Sequence, residues 1–83
     1  MLKTPGGLIR ITAINNEGVL NDVHISGDFF FFPAPRLIDL EQALEGVQMD
    51  PVAITSAIER FYKANQIDSP GVLPEDYSKV LLA

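Results

Sequence analysis

The sequence predicts an α+β fold: a three-stranded antiparallel sheet followed by about three helices packed on one face, in two layers. Three observations predict it. Residues 8–26 alternate apolar and polar with period two around a turn cluster, the pattern of a half-buried hairpin. Residues 37–81 change to helical spacing, punctuated by Asp50-Pro51 and Pro74. The strands come first and the helices after, which is the α+β order. With 83 residues the chain is read as one domain, 1–83, with one modest core.

Each element has a local reason. Thr4-Pro5-Gly6-Gly7 is a breaker cluster, so regular structure is expected to begin after it. Over Leu8–Ile14, Ile9, Ile11 and Ala13 fall on one face and Leu8, Arg10 and Thr12 on the other. Asn15-Asn16-Glu17-Gly18 is turn chemistry, because Asn and Gly accept positive φ. Over Val19–Ser26 the alternation puts Val19, Asn21, Val23 and Ile25 on one face and Leu20, Asp22, His24 and Ser26 on the other. Gly27 interrupts the pattern, as a glycine at a bulge or close backbone approach does. A short third strand is expected over Asp28–Phe32, ended by Pro33 and Pro35, which lack a ladder donor.

The helices come next. Leu37, Leu40, Ala43, Leu44 and Val47 make an apolar stripe, with Asp39 and Glu41 exposed and Gly46 as C-terminal cap. Asp50-Pro51 pairs an N-cap acid with proline at the first helical position. Ile54, Ala57, Ile58 and Phe61 then trace one face, with Asn65 as the stop. Asp68-Ser69-Pro70-Gly71 is a loop, and Pro74-Glu75-Asp76 opens a last helix with Tyr77, Val80 and Leu81 inward. Acids in that first turn suit the helix dipole.

Composition excludes several functions. Hydrophobic residues are 47% and charged residues 20%, a globular balance. There are no cysteines, which removes disulfides, thiolate zinc sites and thiol catalysis together. Eleven acids face six bases, for a net charge of −5, and phosphate contacts need clustered Lys and Arg. Nucleic acid and anionic membrane surfaces are therefore not the expected partners. No apolar stretch reaches the ~18–20 residues of a membrane span, and the N-terminus has no signal-peptide core. A cytoplasmic setting is expected.

Catalytic candidates are few. His24 is the only histidine, flanked at i±2 by Asp22 and Ser26. Side chains at i±2 on one strand project side by side and do not converge on a substrate. Gly6-Gly7 lacks the preceding strand and following helix of a phosphate loop, so it reads as a close backbone passage. Glu41 and Glu45, four apart on a helix, read as a solvated face. The informative feature is Phe29-Phe30-Phe31-Phe32, which if extended puts two rings on each face of the sheet. Two rings on the open face would form an interaction patch; a bulge at Gly27 that buries all four is the alternative. The residues by themselves read as a small acidic interaction domain.

An ordered set of short motifs goes further. Lys3-Thr4-Pro5-Gly6-Gly7 heads the hairpin, Gly27-Asp28-Phe29-Phe30 ends its second strand, and Leu40-Glu41 with Leu44-Glu45-Gly46 stands on the first helix. This set resembles the C-terminal accessory domain of lipoate–protein ligases over nearly the whole chain, most firmly over residues 3–46. The resemblance implies a fold similar to certain iron–sulphur scaffold proteins, although a chain without cysteine lacks the usual cluster ligands. A chain running from Met1 to just past the last helix looks like the separate, small-subunit form.

The resemblance also implies a role: a non-catalytic subunit that binds the catalytic one and enables formation of lipoyl-adenylate. ATP, Mg2+ and lipoate would belong to the catalytic partner, with none bound by this chain alone. Lipoyl domains of 2-oxoacid dehydrogenase or glycine cleavage proteins would be indirect partners. Lys3, Gly6, Gly7, Asp28, Phe29 and Phe30 are then the expected docking residues, with Lys3 the one that could reach the partner's site. The competing reading is a binding or scaffold domain unrelated to lipoate.

Overall fold

The computed structural model describes residues 1–82. Three strands, β1 (Leu2–Thr4), β2 (Gly7–Asn16) and β3 (Val19–Phe29), precede three helices, α1 (Arg36–Leu44), α2 (Pro51–Asn65) and α3 (Pro74–Leu82). The sheet is antiparallel in the order β1-β2-β3. The α+β class holds, but the third strand is not where the alternation puts it. The N-terminal residues make it, pairing Leu2 with Ile9 and Thr4 with Gly7 across a two-residue turn at Pro5-Gly6. The breaker cluster is thus a hairpin turn and not a prelude to structure. Thr4 stabilises it, since its hydroxyl accepts from the Gly6 N–H at 3.2 Å and donates to the Gly7 carbonyl at 2.7 Å. Of the expected strand over Asp28–Phe32, Asp28 and Phe29 are instead the end of β3, which runs through Gly27 without a break, and Phe32 makes only an isolated bridge to Asp68.

The β2–β3 hairpin turns at Glu17-Gly18, both with positive φ, as a turn matching strand twist requires. The register then slips between Thr12 and Ile14, so that Asp22 and Val23 together face Ala13. Asp22 absorbs this β-bulge with φ 51°. A bulge reverses the alternation, and so Leu20 shares the inward face with Val23 and Ile25 rather than opposing them. Simple period-two counting places Leu20 on the wrong side for this reason.

Ile9, Leu20, Val23 and Ile25 from the sheet meet Leu40, Leu44, Ile54, Ile58, Tyr77 and Val80 from the helices in one cluster. Helix α1 lies on β3, α3 lies on β2 and β1, and α2 bridges the two helices. The opposite face of the sheet is uncovered: Arg10, Thr12, Ile14, His24 and Ser26 are all exposed.

Caps set the helix limits. Asp50 accepts from the Ala53 N–H at 2.9 Å ahead of Pro51, and α2 ends as Gln66 turns to φ 53°. Asp76 accepts from the Leu73 N–H at 2.7 Å and so closes the start of α3. Helix α1 is shorter than its apolar stripe: it stops at Leu44, and Val47 belongs to the next segment, where its carbonyl accepts from the Leu20 N–H at 2.8 Å. No helix among the described residues is long and apolar enough to cross a membrane.

Candidate functional site

Strand β3 is an edge strand, and much of its outer edge is closed by α1 and the chain after it. The Glu45 carboxylate accepts from both bulge amides, Asp22 N–H at 3.0 Å and Val23 N–H at 2.8 Å. Glu41 accepts from the Ile25 N–H at 2.6 Å. Gly46 N–H donates to the Leu20 carbonyl at 2.7 Å, and Met49 N–H to the Gly18 carbonyl at 2.8 Å. The two glutamates whose spacing reads as a solvated face therefore staple a helix to a strand. A carboxylate accepting from backbone N–H gives a charge-assisted bond, roughly twice as strong as a neutral one. Leu40 and Leu44 beside them are fully buried. The Leu-Glu…Leu-Glu-Gly motif is thus a device for covering a sheet edge.

The remaining motifs gather at the other end of β3. Lys3, Leu8 and Asp28 are cross-strand partners in a single row, with the half-buried Leu8 between two exposed charges. Gly7 and Gly27 carry φ of 127° and 135° where β2 and β3 pass close together. A Cβ on Gly7 would collide with the Asp28 carbonyl, and one on Gly27 with the Leu8 carbonyl. These two glycines set the strand contact in which the Gly-Gly and Gly-Asp-Phe-Phe signatures meet. Gly6 is half-buried against the 68–71 loop, where its N–H donates to the Gly71 carbonyl at 3.1 Å.

The four phenylalanines split in pairs. Phe31 is buried and Phe29 half-buried against the core, whereas Phe30 is 63% and Phe32 49% exposed. The two exposed rings stack with centroids 5.9 Å apart and planes inclined by 12°. Both are therefore available to a partner, and the alternative of a bulge burying all four is excluded. Phe32 also exchanges two backbone bonds with Asp68, at 2.8 and 2.9 Å, after β3 has ended. Between the rings and the start of α1 lies a cleft of about 240 Å³ lined by Phe29, Phe30, Phe32, Ala34 and Leu37.

Both Gly6 and Phe32 lean on the 68–71 loop, and a hydroxyl network holds that loop. Tyr62 Oη lies 2.8 Å from Ser69 Oγ and 2.6 Å from Tyr77 Oη, and the Ser69 hydroxyl donates to the Val72 carbonyl at 2.9 Å. Burial pushes the pKa of both tyrosines up, strongly for Tyr77, so both hydroxyls stay neutral. Phe31 packs edge-on against Tyr62, and Tyr62 against Tyr77. Sequence spacing assigns Tyr62 and Ser69 no role. Their neighbours in space come from three separate segments, and distance along the chain does not reveal such a network.

Of the six expected docking residues, Lys3, Asp28 and Phe30 are exposed at one end of the sheet. Gly6, Gly7 and Phe29 are half-buried, engaged in loop contact, strand contact and core packing. Phe32 lies outside that set and stands beside Phe30; the alternation of the run is the signal that could have found it. His24 is exposed and hydrogen-bonds neither Asp22 nor Ser26 among the described residues. No cluster of three or more His, Asp or Glu side chains able to hold a metal occurs among the described residues.

This arrangement has counterparts. The family model for the bacterial lipoate protein ligase C-terminus matches residues 2–79. The chain belongs to that family. The chain is 40% identical over 79 residues to lipoate-protein ligase A subunit 2 of Thermoplasma acidophilum, covering 95% of this chain and 81% of the relative. It also superposes with a TM-score of 0.83 and 39% identity on a solved chain, covering 95% of this chain and 86% of that one. That structure is of an archaeal lipoylation system from the same organism, a bi-partite lipoate protein ligase and its E2 lipoyl domain. The motif set that resembles an accessory ligase domain thus marks family membership, and in this chain the motifs divide into edge covering and strand contact.

Proposed function

We propose that this chain is the small, non-catalytic subunit of a bipartite lipoate–protein ligase, which binds the catalytic subunit and enables ATP-dependent formation of lipoyl-adenylate. The observation that carries this reading is the family match over residues 2–79, joined to 40% identity with a protein named as subunit 2 of such a ligase. Adenylate formation needs a carboxylate and a nucleotide phosphate held in one geometry with water kept out. A small domain meets that need by docking on the larger subunit and ordering its active site, without supplying a reacting group. ATP, Mg2+ and lipoate then sit in the catalytic partner, in the cytoplasm, and lipoyl domains of 2-oxoacid dehydrogenase or glycine cleavage proteins receive the lipoyl group. Lys3, Asp28 and Phe30, at the uncovered end of the sheet, are the part of this chain offered to the partner.

The test is lipoate- and ATP-dependent adenylate formation by the catalytic protein from the same organism, with and without this chain. Adenylate is expected only when both proteins are present. An equal rate from the catalytic protein alone would overturn the reading.

A further inference from the structure

Strand pairing sets which backbone groups of β3 point away from β2. The Leu20 N–H and carbonyl face outward, to Val47 and Gly46, and the amides of Val23 and Ile25 face outward to Glu45 and Glu41. Continuing by twos, Gly27 and Phe29 also point outward. The other side agrees: Gly7 and Ile9, their cross-strand neighbours, turn their bonding groups toward Thr4 and Leu2 of β1. Yet no group among the described residues hydrogen-bonds the Gly27 or Phe29 amide. This stretch of edge adjoins the cleft under the Phe30–Phe32 stack. Bare strand edge next to an apolar pocket is what an added strand uses: backbone bonds along the edge and one side chain in the pocket.

Charge narrows the occupant. Asp28 lies on this stretch, Glu41 bonds the Ile25 amide next to it, Asp68 bonds Phe32 at the cleft and Asp39 lies on α1, against Arg36 on α1. Four carboxylates and one guanidinium leave −3 here, within a chain of −5. Arg36 is itself paired with Asp39 at 2.9 Å, while Arg10 stands on the central strand β2 and Lys3 on the far edge strand β1. We propose that the Gly27–Phe29 edge and the Phe30–Phe32 cleft receive an extended segment of the catalytic subunit, apolar where it enters the cleft and basic at its flanks. This rests on the small-subunit reading above and adds to it a docking mode and a chemistry for the docked segment.

The experiment uses the isotope-labelled full chain and the catalytic protein from the same organism, with amide exchange and affinity as readouts. On binding, exchange at Gly27 and Phe29 is expected to slow at least about tenfold, while Ile25, already bonded to Glu41, changes little. The double variant Phe30→Ala/Phe32→Ala is expected to keep the free chain's circular dichroism and bind at least about tenfold more weakly. High salt is expected to weaken binding further. If the proteins bind and support adenylation while both amides exchange as before, the docking mode is overturned and the small-subunit reading stands. If the two amides are protected in a dimer of the free chain, the edge belongs to a second copy, and the assignment to the catalytic subunit is overturned. If the wild-type chain neither binds nor activates the catalytic protein, both readings fall together.

Discussion

From Leu20 to Ile25 the outward amides of β3 each have a partner, whereas those of Gly27 and Phe29 have none among the described residues. Both stretches belong to one strand and share one partner in β2. They differ in the path of the chain beyond β3. Helix α1 returns alongside the first stretch and places Glu41 and Glu45 over its amides. Beside the second stretch Ala34 and the start of α1 line a cleft with Phe29 and bond neither the Gly27 nor the Phe29 amide. An unpaired edge invites association, and proteins close edges they do not use. The aromatic residues repeat the contrast. Phe31, Tyr62 and Tyr77 form a buried edge-to-face series, while Phe30 and Phe32 stack in the open. The covered part is bonded within the chain, and the bare part stands exposed.

Substitutions can break or sharpen that contrast, and the largest effect is expected on the covered side. Leu44→Ala removes a fully buried anchor of α1 and is expected to cost about 2–5 kcal/mol by urea unfolding. A cost below about 1 kcal/mol would mean that α1 does not hold the edge closed. Glu45→Ala strips the carboxylate from two bulge amides and is expected to cost about 1–3 kcal/mol, with faster exchange at Asp22 and Val23. Unchanged exchange there would show that the staple adds nothing to the bulge.

The buried tyrosines give a pH signature. Their neutral form is favoured on folding, so the folded pKa lies above the unfolded value of about 10. The stability they contribute is full below pH 10 and is lost as pH rises beyond it, at about 1.4 kcal/mol per pH unit for Tyr77. Urea unfolding at pH 9, 10 and 11 checks this, and Tyr77→Phe should flatten the decline. Smallest of all, Phe30→Ala is expected to change stability by less than about 0.5 kcal/mol in urea unfolding, because the ring touches solvent and its stacked neighbour. A change of several kcal/mol would place Phe30 in the core and erase the contrast between the two stretches.

Much of the fold is legible locally. Asp50-Pro51 marks the start of α2 because an acid side chain and a fixed φ meet the needs of a helix N-terminus within two residues. The Asn15-Asn16-Glu17-Gly18 cluster marks the hairpin and Asn65 the end of α2, although Asn15 and Asn16 continue β2 and it is Glu17, with Gly18, that takes the positive φ. The strand signal is weaker where it depends on register. Alternation puts Leu20 on the wrong face because one extra residue at Asp22 reverses the assignments on either side of it. The residues of β1 read as a prelude to structure because three residues carry too little alternation to show a strand, and only pairing with β2 makes one.

The candidate site divides in the same way. The Phe29–Phe32 run announces two inward and two outward rings, and Lys3, Asp28 and Phe30 do stand exposed at one end of the sheet. The row across Lys3, Leu8 and Asp28 needs the register, and the support beneath Gly6 and Phe32 comes from a loop far downstream of both. By itself the sequence determined the fold class, the starts of α2 and α3, the end of α2, the acidic balance and the motif set of the ligase family, all of which rest on residue chemistry and short-range spacing. Tertiary structure alone decided that Glu41 and Glu45 close one stretch of edge and leave Gly27 and Phe29 open. Which amide a carboxylate reaches depends on where a helix lands against a strand, and that position is set by packing of the whole core.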